Sequence, residues 1–304
     1  MLFRYLQGFI QRGVPLLQRH FPLEVISTLK KDKNKKKKRR RILILLLLLL
    51  FLAGLGIFLY PIISKVVINK KVEDNIKVFE DERDRFIEEA INDGKLPSAD
   101  NMPVDDDGKP APYKMIMSDP EPKEEQPYLD KLYQYMLRRN KELFDTNQRS
   151  LNSSASYMQP EINLKDYGIN SGSIGTLEID KLGLKLSIFL GANDDNMVAG
   201  CGHLTNTSYP IGGKNTNCVI AVHRGLGGSD FLRYVEKLQT GDIVRIENFW
   251  YTLEYKVVSY RIIEPDEVKP IFIQNGKDML TLYTCHPYGI NSQRYLVYCE
   301  RITK

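Results

Sequence analysis

The 304-residue chain has only four histidines and one tryptophan, and it contains neither a Cys-x-x-Cys nor a His-x-x-x-His pair. Without those spacings there is no zinc pattern. The one metal set that can be assembled joins Cys201 and His203 with Cys218 or His286. No acidic cluster of calcium-binding character lies near the segments that carry the chemistry below, so neither a metal nor another cofactor is expected. Positive charge is also scarce over most of the chain. Nine of the 43 Lys and Arg residues, with one of the 38 acidic residues, fall in 31–41, leaving 34 basic against 37 acidic residues elsewhere, net −3. The basic pI is therefore one local block and not a patch spread over a folded face, which excludes a nucleic-acid partner.

Charge is missing altogether from 42–60, where leucine and isoleucine dominate, and that length approaches the ~20 apolar residues needed to cross a bilayer. No small-residue cleavage site follows Tyr60-Pro61, so a retained anchor is expected in place of a signal peptide. Lys/Arg-rich flanks stay on the cytoplasmic side. The reading is thus a cytoplasmic basic segment at 1–41, a transmembrane helix at 42–63 in contact with membrane lipid, and an extracytoplasmic remainder. With the last strand candidate running almost to Lys304, only this N-terminal anchor is expected to hold the protein.

Beyond the anchor, 72–91 places Ile76, Phe79, Phe86 and Ile87 among charged pairs at helical spacing, a narrow stripe that suggests a stalk. Seven prolines and an acidic bias in 97–127 then read as an extended linker, so 64–127 is assigned to stalk and linker. A second helical pattern opens a 128–172 extension, with Leu129, Leu132, Tyr133, Met136, Leu137, Asn140, Leu143 and Phe144 on one face. From residue 173 no long helical period returns. Short runs rich in Ile, Val, Leu and Tyr give strand candidates at 173–179, 184–190, 218–223, 242–247, 250–263, 279–285 and 294–302. A mainly β domain at 173–304, a closed barrel or a sandwich, is expected.

Cys201, Cys218, Cys285 and Cys299 all fall in the extracytoplasmic portion, where disulfides are permitted; a Cys201–Cys218 bridge and buried free thiols are both open. Three polar residues stand at strand ends, from which a side chain can be aimed into a cleft: His223 before Gly225, Cys285 before Pro287, and Arg294 before an apolar run. A thiol attacks as its thiolate, an imidazole exchanges its proton, and a guanidinium stabilises the oxyanion of acyl transfer while staying protonated at any working pH. Together they form a complete acyl-transfer set, although each alone is as readily a packing or turn residue.

The segment Thr281-Leu282-Tyr283-Thr284-Cys285-His286-Pro287, with Arg294 nine residues after Cys285, resembles the active-site segment of sortases. Val219 to Gly225, reading VIAVHRG, resembles that family's histidine segment. The resemblance extends over 174–302, and the run GHLTNTSYPIGGKNTN is similar to the connection found in class C members. It implies an eight-stranded β-barrel and a cysteine transpeptidase that cleaves an LPXTG-like sorting signal at Thr–Gly through a thioacyl intermediate. The acyl group then passes to an amine, either a pilin lysine or a peptidoglycan precursor. By motif, Cys285 is the nucleophile, His223 the acid/base and Arg294 the oxyanion stabiliser, with Thr284 positioning substrate, while His203 and His286 match no catalytic position. Class C enzymes usually carry an Asp-Pro-aromatic lid. Its place here falls on Ser153, Ser154 and Ala155, which lack those anchoring groups, and Tyr157 is the nearest aromatic. A cysteine hydrolase on the same barrel and a non-catalytic surface binding module are the alternatives.

Overall fold

The computed structural model describes residues 23–105, 107–112, 125–152 and 157–302. Two compact units are distinguished, residues 1–60 and 61–304. In the first, the described residues are helical, and Ile42 to Leu52 leave their apolar side chains exposed. They belong to helix α1 (Leu23–Asn92), the one described helix that is long and apolar enough to cross a membrane.

In the second unit eight strands close into a barrel: β1 (Ser173–Ile179), β2 (Leu184–Leu190), β3 (Cys201–His203), β4 (Thr216–Ala221), β5 (Ile243–Asn248), β6 (Thr252–Ile263), β7 (Asp278–His286) and β8 (Gln293–Arg301). Their order is β1-β2-β3-β4-β7-β8-β6-β5, with β2/β3 and β4/β7 parallel and the other pairs antiparallel. Period-two alternation sorts the side chains. Leu177, Leu186, Ile188, Ile220, Val244, Leu253, Leu280 and Val297 fill the interior. Val219, Ala221, Met279, Tyr283, Leu296 and Tyr298 form a second cluster on the outer face of β4, β7 and β8. Strand β3 escaped the sequence reading because three residues show no alternation. All four cysteines are free thiols, with Cys201, Cys218 and Cys299 buried in the interior cluster.

The expected stalk is packed against the barrel instead. Phe79, Phe86, Ile87 and Ala90 of α1 are buried in the interior cluster, and Phe79 and Phe86 lie 5.1 and 5.8 Å from the Phe249 ring. Arg83 pairs with Glu247, Glu82 accepts from the backbone N–H groups of Asn170 and Ser171, and Lys185 bonds Glu80 at 2.7 Å. The stripe is narrow because this helix needs to cover only one turn of the sheet, the one carrying Phe249. Part of the proline-rich stretch is folded too: Ala111 is buried and Lys109 reaches Asp84 at 2.6 Å. Helix α2 (Asp130–Asp145) buries Leu132, Tyr133, Met136 and Leu143 as its spacing predicts. The β5–β6 turn is clamped by Tyr128, whose carbonyl accepts from Trp250 Nε1 at 2.9 Å.

His203 lies in this interior and away from the strand-end residues. It is 1 % exposed, stacked on Tyr209 at 5.1 Å, with Nε2 donating to Ser208 O and Nδ1 finding no partner among the described residues. Burial lowers its pKa from 6.5 to about 4. The unfolded chain therefore takes up this proton at a higher pH than the native one. Stability is retained above pH 6.5 and lost as pH falls toward 4, by roughly 3 kcal/mol for a shift of this size. Urea titrations at pH 7 and pH 4.5 should show this slope in the wild type and a markedly flatter one in His203→Gln.

Candidate active site

Strand register brings the three strand-end residues together. In the parallel β4/β7 pair Ala221 faces Tyr283, and the ladder continues with the Val222 N–H donating to Tyr283 O at 2.9 Å, which brings His223 level with Cys285. In the antiparallel β7/β8 pair Cys285 lies directly opposite Arg294. Strands so paired run ~4.8 Å apart, so Cys285 has the histidine strand on one side and the arginine strand on the other. Alternation places Cys285 on the face of Met279 and Tyr283, Arg294 on that of Leu296 and Tyr298, and His223 on that of Val219 and Ala221. All three thus emerge on the outer face, at the end of the second apolar cluster, and all are half-buried.

The surroundings set each group's charge. Burial lowers the His223 pKa below 6.5, opposed only by Asp194 of the short helix α3 (Asp194–Ala199), so the imidazole is neutral at pH 7 and able to accept a proton. For Arg294 burial works against the charge, but Tyr157, the Cys285 sulfur and Tyr283 outweigh it and leave the guanidinium more firmly protonated than usual. Two backbone acceptors, Asn291 O at 3.0 Å and Gln293 O at 2.9 Å, hold it. Cys285 is the only half-buried cysteine of the four; burial pushes the thiol pKa of the other three upward, so they are poor nucleophiles. No group of three or more His, Cys, Asp or Glu side chains that could hold a metal occurs among the described residues.

The remaining sequence candidates divide. Thr284 alternates to the opposite face from Cys285, is 2 % exposed and donates to Val222 O at 2.7 Å, so its hydroxyl stitches β7 to the chain leading into His223. Tyr157 does approach the site: its hydroxyl donates to that of Tyr283 at 3.0 Å, with the rings 6.4 Å apart edge to face. Ser153, Ser154 and Ala155 lie outside the described residues. Sequence reasoning passed over Arg224, although it stands between His223 and Gly225 in the quoted motif.

The chain after His223 is held from below. Gly225 takes φ +84°, turning the backbone away from the strand end. Further along this loop Gly228, at φ +90°, approaches α1 so closely that a Cβ there would lie 2.7 Å from Pro61 O. Ser229 Oγ donates to Asn69 Oδ1 at 2.6 Å, and Lys65 faces Asp230. The N-terminal part of the second unit, Pro61 to Asn69, therefore seats the histidine loop.

A family model for the sortase domain matches residues 177–302. Sortase D of Bacillus subtilis (strain 168) is 31% identical over 132 residues, 42% of this chain and 64% of that protein. Sortase A of Bacillus anthracis is 27% identical over 124 residues, 41% of this chain and 57% of that protein. The matched region thus spans less than two thirds of either relative. Among solved structures, the complex of Streptococcus agalactiae sortase C1 and MTSET superposes with a TM-score of 0.52 at 27% identity, covering 62% of this chain and 94% of that one. Sortase C from Clostridium perfringens SM101 is 32% identical, covering 57% of this chain and 89% of that one, with a TM-score of 0.47. The closed eight-stranded barrel and the matched family model agree: residues 177–302 form a sortase domain.

Proposed function

We propose that this chain is a membrane-anchored cysteine transpeptidase acting on an LPXTG-like sorting signal. The observation that carries the reading is the register that sets Cys285 between His223 and Arg294 on one outer face. The Cys285 sulfur attacks the threonine carbonyl of the Thr–Gly bond, giving up its proton to His223, and Arg294 stabilises the charge on the oxygen. Collapse breaks the C–N bond, His223 returns the proton to the departing glycine amine, and a thioacyl enzyme remains. An amine then attacks the thioester, its proton passing to His223 and on to the released Cys285 sulfur. That amine is a pilin lysine or a peptidoglycan precursor; the likeness to Streptococcus agalactiae sortase C1 supports class C. The apolar helix supports a single-pass anchor at 42–63, with 1–41 cytoplasmic and the barrel outside a Gram-positive plasma membrane.

The test is incubation of the protein with an LPXTG peptide, with and without a pilin-like lysine peptide or a peptidoglycan stem amine, read by mass spectrometry. A ligated product identifies a transpeptidase. Hydrolysed peptide alone, unaffected by any amine, means a hydrolase and overturns the reading. In the same assay Arg294→Ala is expected to lower kcat by about 10²- to 10³-fold, the loss typical of an oxyanion donor. Arg294→Lys recovers only part, because a point charge lacks the planar fork. A loss confined to KM would assign Arg294 to substrate binding alone.

A further inference from the structure

Arg224 is the neighbour of His223 in the chain, in the bend after β4, yet it contacts His286 and Tyr295, which alternation in β7 and β8 sets on the face opposite Cys285 and Arg294. It is 6 % exposed, and a buried cation of this kind is costly unless well paired. Its partners are specific. Nη1 donates to the backbone carbonyl of Cys285 at 3.2 Å and to His286 Nδ1 at 2.7 Å, and Nη2 pairs with Glu236. The guanidinium carbon lies 5.7 Å from the Tyr295 ring centroid, and Tyr295 follows Arg294 in β8. Nε is buried with no partner among the described residues. Arg224 therefore touches the neighbourhood of each of the three strand-end residues: it follows His223 in the chain, its guanidinium donates to the Cys285 carbonyl, and it lies against the ring of Tyr295, the residue after Arg294.

The contact with His286 fixes a second detail. Arginine can only donate, so His286 Nδ1 accepts and its ring is neutral with the proton on Nε2. Burial and the adjacent Arg224 charge both lower the His286 pKa, in keeping with that state. His286 is thus a peg for Arg224 and not a rival to His223 as proton acceptor.

We propose that Arg224 is a positioning residue of this site, holding the chain after His223 against the Cys285 carbonyl of β7 and the Tyr295 ring of β8. The proposal rests on Cys285 being the nucleophile. Part of it can be read without turnover, because the rate at which a small reagent reaches the Cys285 sulfur depends on how the strand end is held, whatever the substrate. The charged or titratable groups facing Arg224 are His286 and Cys285 of β7, Tyr295 of β8 and Glu236 of the turn after the histidine loop; those facing the sulfur on the outer face are His223 and Arg294. Glu236 is half-exposed.

Two readouts in the intact protein test this, with thermal unfolding to establish that each variant is folded. The first is the rate of alkylation of Cys285 by iodoacetamide at pH 7, followed by peptide mass spectrometry. In Arg224→Gln the rate falls about three- to tenfold, because the strand end is no longer held. Arg224→Lys, which keeps a donor for the Cys285 carbonyl, stays within about twofold of wild type. The second is transpeptidation. Both variants lose kcat, Arg224→Gln by about 10- to 100-fold, with KM within about twofold, because the strand ends and not the substrate contacts are disturbed. A folded Arg224→Gln with wild-type alkylation and wild-type kcat overturns the proposal. If that variant does not fold, Arg224→Lys decides: unchanged kcat overturns the positioning role and a reduced one upholds it. Should the wild type transfer no acyl group while Arg224→Gln still slows alkylation, the functional reading fails and the positioning role of Arg224 stands.

Discussion

Alanine in place of Cys285 is expected to remove thioacyl formation with an LPXTG peptide altogether and to lower turnover by at least about 10³-fold, the scale of losing a covalent nucleophile. The three other thiols cannot substitute, since Cys201, Cys218 and Cys299 are buried in the barrel interior with their pKa values pushed upward. Stability should change little. Cys285 is half-buried at the end of β7, its backbone partner is Arg294, and its carbonyl still accepts from Arg224 in the variant. Mass spectrometry of the enzyme after incubation with peptide should show the acyl adduct on the wild type and none on Cys285→Ala, with melting temperatures within a few degrees. Retention of full activity by the folded variant would sink the covalent mechanism, and an unfolded variant would show that this strand end matters more for packing than its exposure implies.

What could be read from the sequence was local. Seven of the eight strands announce themselves as short runs rich in Ile, Val, Leu and Tyr, and the three chemical residues announce themselves by standing where an apolar run meets a Gly, a Pro or a turn. Register is not local. The parallel pairing of Ala221 with Tyr283 joins positions some sixty residues apart, and it alone decides that His223 comes level with Cys285. The same pairing explains Thr284: beside the nucleophile in sequence, it faces the other way and bonds Val222 O, which alternation within β7 could have indicated once Cys285 was placed on the outer face. Arg224 was hidden for a related reason, since a charged residue before a glycine looks solvated until its partners, the Cys285 carbonyl and His286, are brought in from another strand.

The proline-rich stretch and the helix before it were harder still, because composition reports what a segment can bury by itself and says nothing of a surface supplied by another element. Residues 72–91 hold too few apolar groups to form a core alone, yet Phe79, Phe86, Ile87 and Ala90 complete one that the barrel leaves open around Phe249. The contacts of Pro61, Lys65 and Asn69 with the 228–230 loop carry that same helix up to the histidine.

Phe79→Ala is accordingly expected to cost about 3–5 kcal/mol of stability, the usual range for deleting a fully buried phenylalanine. Phe79 is 0 % exposed and lies 5.1 Å from the Phe249 ring, which also receives Phe86 edge-on at 5.8 Å, so its removal opens a cavity beside the Phe249 ring. Val78 is the control: it is the preceding residue on the same helix, 50 % exposed, and Val78→Ala should stay within about 0.5 kcal/mol of wild type. Urea unfolding of the two variants, monitored by the fluorescence of Trp250, reports directly on this region, because Trp250 is buried 6.0 Å from the Phe249 ring. A free stalk would make the two substitutions equal and small. A docked helix makes them differ by several kcal/mol, and it predicts that Phe79→Ala frees the seat beneath the 228–230 loop at denaturant concentrations where Val78→Ala is still fully active.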